Sequence, residues 1–143
     1  MPVVDRRPLV FNDRNRPLQE DDMPRIIREP ALIPAEGGKR IEEFVGGIRS
    51  GDTSVSVARM VAPGGWQEPG QRPDFREVTL VLRGRLRVES EDGERNVSAG
   101  QAIVVDPGEW VRYSCPDEDG AEYVAICLPA FSPDTVNRDD DPA

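Results

Sequence analysis

Between Ser54 and Leu128, short runs of apolar and β-branched residues alternate with polar ones, and turn residues interrupt them at regular spacing. Ser54 to Ala62 alternates and stops at Pro63-Gly64-Gly65. Glu77 to Leu82 is β-branched and aliphatic and ends near Gly84, with Arg85 to Val88 directly after it. The turn Glu91-Asp92-Gly93 precedes Arg95 to Ser98, and Gln101 to Val105 closes on Asp106-Pro107-Gly108. Glu109 to Cys115 and Ala121 to Leu128 flank a turn at Pro116 to Gly120. Short strands separated by Gly, Pro and Asp turns predict an all-β sandwich or barrel. Upstream, Ala31 to Pro34 is strand-like, and Gly38 to Phe44 fits a helical turn or a strand equally.

The last two runs predict a hairpin. Pairing about Pro116–Gly120 sets Tyr113 opposite Tyr123 and Val111 opposite Ala125, all four on one face. Cys115 and Cys127 then lie on the order of 20 Å apart, beyond disulfide reach, so both thiols are expected free.

The chain has 143 residues, enough for one domain and one core. Residues 30–132 are expected to form it. Met1 to Glu29 reads as an arm, partly disordered or exchanged with a partner, and residues 133–143 as a solvated acidic tail. The net charge of −9 opposes nucleic acid and anionic membranes. No apolar run approaches membrane-spanning length, the N-terminus has no apolar leader core, and two cysteines suit a reduced cytoplasmic protein. Lys39 is the only lysine, so Schiff-base chemistry has one candidate; its Gly37-Gly38-Lys39-Arg40 loop makes that role an unfavoured one. Histidine is absent, which excludes Ser-His-Asp and Cys-His catalysis and imidazole metal ligation.

The stretch from Gly64 to Tyr113 resembles the cupin family. In the first cupin motif, G-x5-H-x-H-x3–4-E-x6-G, Gly64, Glu77 and Gly84 match. The two His positions fall on Gly70 and Arg72, or on Gln71 and Pro73 when counted from Gly65 with the shorter spacer. In the second, G-x5-P-x-G-x2-H, Gly100 and Gly108 match, proline is displaced to Pro107, and the His position holds Val111. The acidic, aromatic loop Trp66 to Gln71 with Phe75-Arg76-Glu77 is similar to His-lacking cupins of the ethanolamine-utilisation type. The resemblance implies a double-stranded β-helix, or jelly-roll barrel, with a pocket inside. It also implies a metal held by three His and one Glu, of which only Glu77 is present.

With Glu77 facing inward, the strand period turns Thr79 and Val81 inward too. The expected catalytic or acid–base groups are Glu77, Glu68 and Tyr113. The expected ligand contacts are Trp66, Gln71, Phe75, Thr79, Val111 and Tyr123. Val78, Leu80 and Leu82 face outward, and covering them predicts a homodimer. The leading expectation is a cofactor-free cytoplasmic cupin that binds a small molecule without a His-ligated metal. One alternative is a metal-independent isomerase, epimerase, cyclase or lyase using Glu77 with Glu68 or Tyr113. Another is an oxygen-ligand metal site at Glu68, Gln71 and Glu77.

Overall fold

A computed structural model describes residues 24–139; the N-terminal arm expected over residues 1–29 lies mostly outside them. Nine strands run in order: β1 (Ala31–Ile33), β2 (Arg40–Val45), β3 (Ser56–Ala62), β4 (Trp66–Gln67), β5 (Arg76–Ser90), β6 (Gly93–Ser98), β7 (Ala102–Val105), β8 (Val111–Cys115) and β9 (Ala121–Leu128). Among the described residues no helix is long and apolar enough to cross a membrane. In the ambiguous segment at Gly38 to Phe44, the part from Arg40 on is strand, paired between β1 and β3, and Gly38 belongs to the turn before it.

The long strand β5 builds both walls. Its first half pairs with β9 and β7, and its second half with β6 and β8. One wall is therefore β1-β2-β3-β9-β5-β7, and the other is β6-β5-β8-β4. The strand runs through Gly84, where the sequence suggests a break. It bends there instead, just past a register shift between Val81 and Arg83. Gly84 has a φ of 76°, and a Cβ on it would stand 2.2 Å from Gly120 O. Only glycine tolerates both the backbone angle and the close approach.

The expected hairpin does not form. β8 pairs with β5 and β4, whereas β9 pairs with β3 and β5. The Pro116–Gly120 turn carries the chain from one wall to the other. Tyr113 and Tyr123 consequently face each other from opposite walls, not from one sheet face. Cys115 and Cys127 are both free and buried, as expected, although the hairpin from which their separation was argued is absent.

The inner face of the larger wall follows from its register. Ser56, Cys127, Glu77 and Val105 form one row across β3, β9, β5 and β7. Glu43, Ala58, Ala125, Thr79 and Ile103 form the next, and Ile41, Met60, Tyr123 and Val81 a third. The two walls close over a core that includes Val81, Leu86, Val88, Val111 and Tyr113. On the outer face, Leu80, Leu82, Val104 and Leu128 remain exposed.

Residues 133–139, expected in a solvated tail, lie along the loop before β5. Asp74 N donates to Thr135 O at 2.9 Å, Arg72 N to Asn137 O at 3.1 Å, and Asp139 N to Gly70 O at 2.8 Å. Val136 is buried against Phe75 and Cys127. Backbone pairing and one buried valine outweigh the acidic composition.

Gly84→Ala is expected to lower unfolding free energy by at least about 2 kcal/mol, the scale of forcing an alanine into left-handed backbone against a carbonyl. Gly47→Ala, with nothing within 4 Å of its Cβ position, should change it by less than about 0.5 kcal/mol. Urea unfolding of the two variants checks the contrast.

Candidate functional site

Between the walls lies a cavity of about 230 Å³. Its surface is mostly apolar, and its polar groups arrive from several parts of the chain. Glu77 and Thr79 come from β5, Tyr113 from β8, and Tyr123 from β9. Glu68 and Gln71 come from the loop after β4, Lys39 from the entrance to β2, and Arg138 from the C-terminal segment.

Glu77 sits deep in the wall, with its carboxyl toward the cavity. Tyr113 Oη donates to Glu77 Oε1 at 2.6 Å, and Cys127 Sγ donates to Glu77 Oε2 at 3.3 Å. Burial pushes the Glu77 carboxyl above its ordinary value, and the two donors only partly oppose this. Burial, with the negative charge of Glu77 beside it, holds the Tyr113 hydroxyl well above its usual range. Burial raises Tyr123 in the same way, and the Cys127 thiol with it.

Lys39 is the group the sequence reading undervalued. Its side chain is only 6% exposed. Nζ stands 3.7 Å from Glu68 Oε2, a long ion pair that exceeds hydrogen-bond range. It also lies 4.2 Å from the Trp66 ring centroid and 5.3 Å from that of Tyr123, within cation–π reach. Burial drives the ammonium below its ordinary value, while Glu68 and Glu77 pull it back up. Gly37 and Gly38, at φ of 72° and 79°, make the turn that leads into β2, and Gly37 packs close against Trp66. The signal was in the sequence. Lys39, Ile41 and Glu43 share the two-residue strand period, and all three line the cavity. Glu43 is occupied elsewhere, since its Oε1 accepts from the amides of Ile48 and Arg49, each at 2.9 Å.

Glu68 is flanked by two cations, because Arg138 Nη1 also approaches Oε2 at 3.7 Å. Gln71 is fixed by its backbone, which exchanges hydrogen bonds with Val111 at 2.8 and 2.9 Å. Its side-chain Oε1 is buried on the cavity wall and has no hydrogen-bond partner among the described residues.

Of the nine residues expected at the site, Glu68, Gln71, Glu77, Thr79, Tyr113 and Tyr123 line the cavity together. Trp66 is core, and reaches the site through its ring contact with Lys39. Phe75 and Val111 are not on the lining. Phe75 packs edge-on against Phe131 at 5.9 Å, and Val111 fills the main core. Sequence reasoning misses Arg138, which lies in an acidic tail, and Cys127, expected only to be a free thiol.

This two-walled barrel, built on one strand shared between its sheets, is a cupin jelly roll. A sequence profile of the cupin domain (Cupin_2) matches residues 59–127. The chain belongs to the cupin superfamily, with a domain of the cupin-2 type. The protein named endoribonuclease YbeY in Myxococcus xanthus is 43% identical over 113 residues. The match covers 79% of this chain but 38% of that protein, so the chain spans about two-fifths of its relative's length. Among solved structures, the EutQ protein of Clostridium difficile aligns at 17% identity and a TM-score of 0.55, covering 64% of this chain and 63% of its own. A single-residue variant of oxalate decarboxylase from Bacillus subtilis aligns at 17% identity and a TM-score of 0.66, covering 84% of this chain and 34% of its own. At such identities these structures speak for the fold alone.

The three-His-one-Glu metal set implied by the cupin resemblance does not fit these residues. Arg72 turns outward, donating to Gly108 O at 2.9 Å and Glu91 Oε1 at 2.6 Å. Val111 offers no donor, and Glu77 is engaged by a phenol and a thiol. The oxygen set of Glu68, Gln71 and Glu77 fits no better, because Lys39 and Arg138 already bring positive charge to Glu68. Among the described residues no cluster of three or more His, Cys, Asp or Glu could hold a metal ion.

Glu77 binds its proton more tightly folded than unfolded. The stability this confers is complete below the ordinary value of 4.5 and is lost as pH rises through the raised folded value. Glu77→Gln removes that titration. Between about pH 4.5 and neutrality, its urea midpoint should fall less steeply than that of the parent chain; parallel pH profiles would contradict the assignment.

Proposed function

We propose that this cupin domain binds a small organic molecule in the barrel cavity, without a His-ligated metal. The observation that carries the reading is the buried Gln71 Oε1, unpartnered among the described residues and set on the cavity wall. A buried acceptor left unmatched costs about 1–3 kcal/mol, which a ligand hydroxyl or N–H would recover. Lys39, Glu68 and Glu77 supply charge and hydrogen bonds around it. The cavity equals the liquid volume of about seven or eight waters, so the ligand is metabolite-sized. A second reading, metal-independent isomerisation, epimerisation, cyclisation or elimination, draws on the contrast between Glu68, ion-paired with two cations, and Glu77, deeply buried. The ribonuclease named for the longer Myxococcus xanthus protein is not assigned to this chain, whose net charge of −9 opposes a polyanion. A reducing cytoplasm would keep Cys115 and Cys127 as thiols.

A thermal-shift screen of small hydroxy acids, keto acids, aldehydes and sugars tests the reading. A ligand at about 100 times its Kd adds about 2.7 kcal/mol, and the midpoint should rise by roughly 5–10 °C. Gln71→Leu should remove that rise. No shift with any compound, or hits indifferent to both Gln71→Leu and Glu77→Gln, would overturn it.

We also propose that a second copy covers the outer face. Val57, Ile126, Val78 and Val104 form an apolar row there, with Leu80 and Val124 beside it. The Glu42–Arg59–Glu122 ion cluster adjoins these rows and offers both signs of charge to a twofold-related copy. Sedimentation should give a dimer that Leu80→Glu converts to monomer; a monomeric parent chain would refute it.

A further inference from the structure

We propose that Lys39 is a nucleophilic amine that condenses with an aldehyde or ketone in the cavity to form an imine. The inference rests on the small-molecule reading and names the class of ligand. Three observations place a reactive amine here. The sole lysine of the chain is turned inward, with its side chain 6% exposed on the wall of a cavity. Its ammonium lies against the Trp66 and Tyr123 rings, with a carboxylate at 3.7 Å instead of a close hydrogen bond. Two carboxyl groups in unlike surroundings share the same cavity.

A lysine kept merely for solubility would lie on the surface. Burial lowers the basicity of Lys39 and so favours the free amine, although Glu68 and Glu77 offset part of that effect. Glu68, beside Nζ, can take a proton from the ammonium. Glu77, whose burial favours the protonated form, can give one to the carbonyl oxygen.

The balance closes without an external reagent. Nζ adds to the carbonyl carbon, and the C=O π pair passes to oxygen. The C–O bond then breaks as the nitrogen lone pair forms C=N. Of the three ammonium protons, two leave with the oxygen as water, relayed by the carboxyl groups, and one stays on the iminium nitrogen. Glu68 and Glu77 end in the protonation states in which they began. The unmatched Gln71 Oε1 would accept from a hydroxyl on the same ligand, favouring a hydroxy-aldehyde or hydroxy-ketone.

A single lysine makes the test clean. The full chain is incubated at neutral pH with glyoxylate and sodium cyanoborohydride, and the adduct is located by peptide mass mapping. The free peptide spanning residues 36–41 serves as the unperturbed reference. Lys39 in the folded chain should be labelled at least about tenfold faster than the peptide lysine, which lacks the flanking acid and base. Glu77→Gln should slow that labelling, and Lys39→Arg should abolish it without loss of the folded melting transition. Labelling no faster than in the peptide, or unchanged by Glu77→Gln, overturns the proposal. If glyoxylate or another carbonyl compound raises the melting midpoint but leaves Lys39 unlabelled, the imine is refuted and the binding reading stands. If no carbonyl compound labels Lys39, the imine is refuted, and the binding reading falls with it only if no compound of the wider screen shifts the midpoint.

Discussion

Backbone contact at the Gly84 bend is the constraint on which both walls depend. β5 can serve two sheets only if it turns sharply without losing its pairing. The turn brings Gly84 so near Gly120 O that a Cβ on it would stand 2.2 Å from that oxygen, and Gly120 itself closes against Ala62 O. The bend of β5, the end of β3 and the start of β9 are thereby locked at one corner. The positions of Glu77 and Thr79 on one side of the bend, and of Leu86 and Val88 on the other, follow from it. The cavity is the space left when the two halves of β5 diverge.

That geometry sets the electrostatics. A carboxyl on the inner face of β5 is largely shielded from bulk water, so its charged form needs partners or gives way to the protonated one. Tyr113 arrives from the opposite wall because β8 pairs with the second half of β5. Cys127 arrives from the neighbouring strand because it is directly opposite Glu77 in the register. Both groups donate, so Glu77 is satisfied locally. Glu68 is satisfied differently, by two cations from distant parts of the chain. The cup thus holds one carboxyl stabilised by neutral donors and another by charge.

Strand positions were legible because alternation and turn residues are local properties. The runs ending at Ala62, Val105, Cys115 and Leu128 stop where β3, β7, β8 and β9 stop. The cupin glycines and Glu77 located the cup, and strand period carried Thr79 with it. Partners were less legible. Tyr113 and Tyr123 suggested a hairpin because strands joined by a short turn usually pair, whereas a jelly roll sends them to different walls. Phe75 was assigned to the cavity through its proximity to Glu77, yet its neighbours Phe131 and Val136 come from a segment whose acidic composition read as solvated. Arg138 was hidden by that same composition. Lys39 was hidden by the Gly37-Gly38 turn, whose loop character concealed an inward position just before β2.

The absence of histidine has a sharper meaning once Lys39 is placed inside. In a site of three imidazoles and one carboxylate, the divalent ion supplies the positive charge that makes the buried carboxylate tolerable. Here the imidazole positions are occupied by an outward arginine or an inward amide and by a core valine. Positive charge instead enters from the β2 entrance and from the C-terminal segment, on Lys39 and Arg138. It settles on Glu68, leaving Glu77 to the phenol and the thiol. An ammonium differs from a metal in one chemical respect that matters here. It can give up its proton and become a nucleophile, which is what the proposed imine requires of Lys39.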